Sequence, residues 1–68
     1  MKPEEVFGMN AGKVWNVLKS KGMLTALQIS KEAGLKITDV FGALGWLGRE
    51  GKLEIVEEKK KVMYKLKE

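Results

Sequence analysis

The sequence predicts a single α+β domain of three helices, a short strand after the first, and a C-terminal two-stranded hairpin. Three observations carry this reading. Three stretches repeat apolar residues at helical spacing, and a glycine stands at the end of each, at Gly22, Gly34 and Gly51. The second stretch opens on Thr25 with Gln28 three residues later, a reciprocal capping box. The C-terminal stretch alternates apolar and polar residues with period two.

Taken in order, residues 1–9 are expected to form an irregular lead, with Pro3 near its start and Gly8 near its end. Asn10 reads as an N-cap. Ala11, Val14, Trp15 and Leu18 then place helix 1 over residues 11–21, with Trp15 on its apolar side as a core residue. Met23 and Leu24 make a short extended piece. In helix 2, Ala26, Ile29, Ser30 and Ala33 share one face, and Leu27 falls off it. After a turn at 35–37, Thr38 is expected to cap helix 3, which runs from Asp39 to Glu50. LEIVE and KVMYKL form the hairpin. A turn centred on Glu58 and Lys59 sets Leu53 opposite Tyr64 and Ile55 opposite Val62, giving one apolar face that also includes Leu66.

This element order is that of a winged helix-turn-helix. Ser30, Gly34 and Val40 supply what the turn region needs. These are a small residue where the helices cross, a glycine where φ turns positive, and an apolar residue entering the core from helix 3. Two segments go further. NAGKVW (residues 10–15) and ALGWLGREGKL (residues 43–53) resemble a family of small stand-alone winged helix-turn-helix proteins of bacteria and archaea, catalogued as a domain of unknown function. The resemblance runs from about Gly8 to the hairpin. Gly48 and Gly51 depart from the pattern, which has alanine and a polar residue there. The family implies the fold and a DNA-binding or dimeric character, and it supplies no catalytic residue or ligand.

Composition narrows the chemistry. With no cysteine and no histidine, disulfides, thiolate sites and the usual nucleophile–base pairs are excluded, and zinc of the usual kind loses its ligands. The paired carboxylates, Glu4 with Glu5 and Glu57 with Glu58, are sequence neighbours at exposed places and make no positioned acid–base couple. No glycine spacing matches a phosphate loop. The expectation is a non-enzymatic protein without cofactor or metal, and no small-molecule substrate is evident. No apolar run is long enough to span a membrane, so the cytoplasm is the expected location. Thirteen Lys and Arg against nine Asp and Glu leave a net charge of +4, which permits nucleic-acid binding.

The outer face of helix 3 decides between two partner classes. Val40, Ala43, Leu44 and Leu47 turn inward, and Gly42, Gly45, Trp46 and Arg49 turn outward with Phe41 at the side. A helix that reads the major groove presents arginine, lysine, asparagine or glutamine to base edges. Here glycines and a tryptophan stand in their place, and Asp39, Arg49 and Glu50 together carry −1. Glycines let a second helix approach closely, and aromatics are enriched at interfaces. The favoured reading is therefore a homodimeric protein-interaction module joined through Phe41, Gly42, Gly45, Trp46 and Arg49. The alternative is a small DNA-binding regulator that touches phosphates with Lys31, Lys36, Arg49 and the wing lysines Lys59, Lys60 and Lys61. The face predicts weak binding without sharp base preference.

Overall fold

The computed structural model describes residues 3–67, with side chains from Gly8 onward. Its elements are α1 (Pro3–Lys21), α2 (Ala26–Ala33), α3 (Ile37–Arg49), β1 (Leu53–Glu58) and β2 (Lys61–Leu66). The three helices enclose the core and the hairpin lies against their open side as a wing. The helix order and the terminal hairpin agree with the sequence.

The largest departure is at the start. Helix α1 begins at Pro3, so residues 3–9 of the expected irregular lead are helical, residues 1 and 2 lie outside the described residues, and Asn10 lies inside a helix instead of capping it. Proline suits the first helical position, where its missing N–H has no intrahelical partner to lose. Glycines at 8 and 12 weaken a helix by about 0.5–1 kcal/mol each without ending it. Helix α1 packs against α3 through Ala11, Val14 and Leu18.

Local signals set α2 closely. The Thr25 side chain accepts from the Gln28 amide, and the Gln28 side chain accepts from the Thr25 amide, so the capping box is complete. Gly34 closes the helix at φ +67. The amides of Gly34 and Leu35 both donate to the Ser30 carbonyl, the latter at 3.1 Å. Helix α3 starts two residues earlier than the sequence suggested, at Ile37, with Lys36 as an N-cap that makes no side-chain bond. Its far end is as expected. Gly51 has φ +72, its amide donates to Gly48 (3.1 Å), and the Lys52 amide donates to Leu47 (3.0 Å), which is a Schellman closure.

Among the described residues eight form the buried core: Ala11, Val14 and Leu18 from α1, Ile29 from α2, and Val40, Ala43, Leu44 and Leu47 from α3. Trp15 and Trp46 are half-buried and pack against it. Ser30 is half-buried, and its hydroxyl donates to the Leu35 carbonyl, tying the end of α2 across the turn. Ser30→Leu loses that bond and adds bulk at the crossing. The expected cost is about 1–3 kcal/mol, seen as a lower melting temperature. An unchanged melting temperature removes Ser30 from the crossing.

The short strand after α1 is a single backbone bridge. The Leu24 amide donates to Tyr64 (3.0 Å) and the Tyr64 amide to Leu24 (2.8 Å), which seats β2 against the helices. The hairpin register is two residues off the sequence reading. Leu53 pairs with Leu66, Ile55 with Tyr64 and Glu57 with Val62, and the turn falls at Lys59 and Lys60. The observed register sets Glu58 opposite Lys61 and Glu54 opposite Lys65, the latter with an ion pair of 3.3 Å. Opposite charges facing across strands favour it. The five apolar residues do share one face, but only Leu53, Tyr64 and Leu66 reach the core. Ile55 and Val62 lie on the projecting half of the wing and stay exposed.

Candidate functional site

The residues singled out from the sequence lie on three segments of the surface: the outer side of α3, the α2–α3 turn, and the wing tip. On α3 the exposed positions are Thr38, Phe41, Gly45, Gly48 and Arg49. At 1.5 Å per residue they span about 16 Å of helix. Between Thr38 and Arg49 this stripe carries no side chain able to hydrogen-bond a base edge. Its one large apolar side chain is Phe41, 53% exposed.

Trp46 and Gly42 are half-buried and belong to the flank of that stripe. The flank turns toward α1, where Trp46 packs against the core and faces the same cavity as Trp15. On that flank Gly8, Gly12 and Trp15 of α1 line one cavity with Trp46. Phe41 replaces Trp46 as the aromatic centre of the exposed face.

The glycines on the stripe have no role inside the fold. A Cβ at Gly45 or Gly48 would meet no heavy atom within 4 Å. Neither backbone requires glycine, since both sit in regular helix. Gly45→Ala is therefore expected to raise stability by about 0.5–1 kcal/mol, measured by urea denaturation. A destabilising result would mean that part of the chain packs over that position.

The basic residues are all exposed. Lys31 is in the last turn of α2, Lys36 caps α3, Arg49 ends α3, and Lys59, Lys60 and Lys61 form the tip of the wing. Lys59 has φ +54, a left-handed conformation unusual for a residue with a side chain. The two ion pairs among the described residues, Lys21–Glu32 at 3.9 Å and Lys65–Glu54 at 3.3 Å, use none of these six. Their charges face solvent.

Thr38, the expected cap of helix 3, stands exposed on the first turn of α3, the only hydroxyl on that face, and Lys36 occupies the N-cap position. Leu27 is 68% exposed on α2, a large apolar group outside the core. Its position off the apolar face was the available signal. Among the described residues no cluster of acidic side chains is arranged to hold a metal ion. No helix among them is long and apolar enough to cross a membrane.

Comparison with known proteins agrees with this architecture. Residues 1–66 match the family described as "Winged helix-turn-helix domain (DUF2582)". No curated protein matches the chain. Among solved structures, protein BT2368 from Bacteroides thetaiotaomicron is 26% identical with a TM-score of 0.90, covering 96% of this chain and 79% of that one. The Zalpha domain of Carassius auratus PKZ, solved in complex with Z-DNA, is 30% identical with a TM-score of 0.77, covering 90% of this chain and 97% of that one. A HOP2 structure reported for its DNA recognition and protein interaction domains is 25% identical with a TM-score of 0.70, covering 85% of this chain and 98% of that one.

Proposed function

The chain belongs to the winged helix-turn-helix family of unknown function DUF2582, and from that premise we propose that it is a non-enzymatic, cytoplasmic nucleic-acid-binding protein that grips phosphates and reads shape. The observation that carries this reading is the likeness to a domain solved on Z-DNA, which extends over 97% of that domain. Lys36 at the start of α3, Lys31 beside it in sequence and the Lys59–Lys61 tip supply the charge. The exposed side of α3 offers Thr38 and Phe41 where base-reading side chains would stand. Selection among nucleic acids then rests on groove and backbone form, which a protein senses as deformation energy.

The test is a titration at several salt concentrations with random right-handed duplexes and with an alternating dC–dG duplex held in the left-handed form. Weak, salt-sensitive binding without preference among right-handed sequences supports the reading. A complex that discriminates one right-handed sequence by about 10³ or more overturns it.

A second reading, a homodimer through Phe41, Gly42, Gly45, Trp46 and Arg49, is favoured by the open space over Gly45 and Gly48. Small residues beside an exposed aromatic suit a symmetric contact between two copies of α3. Trp46 is then a flanking contact and Phe41 the central one. Light scattering over a concentration series separates the readings. A mass of one chain persisting into the high micromolar range ends the second.

A further inference from the structure

Between the N-terminal half of α1 and the C-terminal end of α3 lies a cavity of about 460 Å³. This is within the range of small-molecule sites, about 300–1,000 Å³. Its walls hold both tryptophans of the chain, Trp15 from α1 and Trp46 from α3, each half-buried. Two of the α1 residues that line it are glycines, Gly8 and Gly12. Each costs a helix interior about 0.5–1 kcal/mol against alanine. Neither has a heavy atom within 4 Å of where a Cβ would stand, so the fold itself needs no glycine there. Both glycines line the same cavity as the indoles, and a side chain added there has open space to enter.

Three polar side chains line the cavity at its solvent-exposed side: Asn16 from α1, and Glu50 and Lys52 at and beyond the end of α3. The Lys19 ammonium sits 4.7 Å from the centre of the Trp15 ring, a cation–π contact that holds this indole and adds positive charge beside it.

We infer that this cavity binds a planar aromatic anion of the nucleoside monophosphate class. Indole faces are stacking surfaces for a base of any identity. The Asn16 amide carries a donor and an acceptor side by side, matched to the edge of a base. Lys52 takes the phosphate, with Lys19 raising the local potential, and the Glu50 carboxylate accepts from a ribose hydroxyl. The site does not use the exposed stripe of α3, so it stands or falls independently of nucleic-acid binding there.

Because both tryptophans line the cavity, indole fluorescence reports on it directly. AMP titrated into the full chain, with excitation at the red edge of the indole band, is expected to quench saturably at or below about 1 mM. Adenosine, lacking the phosphate, is expected to bind about tenfold more weakly. Trp46→Ala, read through Trp15, is expected to weaken AMP by about tenfold, the loss of one base–aromatic stack. Gly12→Leu fills the space while improving helix propensity. It is expected to hold or raise the urea midpoint and abolish the quench, so loss of binding is not loss of fold. Phe41→Ala is expected to leave the titration unchanged. Absence of saturable quenching in the wild-type chain overturns the site, as does a Gly12→Leu variant that still binds AMP. Adenosine binding as tightly as AMP overturns the anion assignment, and loss of binding in Phe41→Ala moves the ligand out of the cavity.

Discussion

Ile29→Ala is expected to remove a large share of this protein's stability, about 2–5 kcal/mol. Ile29 is fully buried and is the one residue of α2 in the core. Among the described residues the core is small, with eight members. Native domains have about 0.05–0.15 kcal/mol of stability per residue, which for this length is about 3–10 kcal/mol in total. Removing an isoleucine side chain from a site that cannot collapse costs about 2–5 kcal/mol. The loss is also concentrated, because Ile29 is what fastens α2 to the other helices, and α2 carries Ser30 and the turn into α3. Urea denaturation followed by circular dichroism checks it, with Leu27→Ala as the control. Leu27 is mostly exposed, and its truncation is expected to stay within about 0.5 kcal/mol. If the Ile29 variant loses less than about 1 kcal/mol, α2 is not docked through that side chain.

Nucleic-acid affinity falls about 10²-fold between roughly 50 and 200 mM salt if four lysines meet phosphates, because each contact releases condensed counterions and the slope is about −0.9 per phosphate. The wing is the place to test it. Lys59, Lys60 and Lys61 are exposed and outside both ion pairs, so they keep their charge available. Replacing all three with alanine is expected to lower the salt slope by about 1 for each lysine that reaches a phosphate, and to weaken all sequences alike. Phe41→Ala is expected to change affinity while leaving the slope as it was, since it removes surface and no charge. Affinity that does not respond to salt removes the phosphate-gripping reading.

Part of the site was legible before any coordinates. The lysines at 31, 36 and 59–61 and Arg49 are exposed as their positions indicated, because charged side chains off an apolar face have nowhere cheaper to go. The exposed side of α3 proved poor in base-reading groups, as its residues indicated. The aromatic at its centre was misplaced. Helical spacing puts Trp46 opposite the core, but spacing cannot show that this flank turns toward α1, where Trp46 packs against the core. The cavity between Trp15 and Trp46 was invisible for the same reason. The two residues are far apart in the chain, and neither segment carries a mark of the other.

What the sequence alone determined are the features whose physics is local. The box at Thr25 and Gln28 satisfies amides three residues apart, and Gly34 and Gly51 take left-handed conformations that residues with a Cβ resist. The order of helices and strands follows from period, 3.6 against 2. The tertiary structure decided what period leaves open. A hairpin shifted by two residues keeps every side chain on the same face, so alternation cannot choose its register, and the cross-strand charges and the Leu24–Tyr64 bridge make the choice. The start of α1 was likewise not local. Helices of marginal propensity form where packing holds them, and α1, which runs from Pro3 through Gly8 and Gly12, is held in the core by Ala11, Val14 and Leu18.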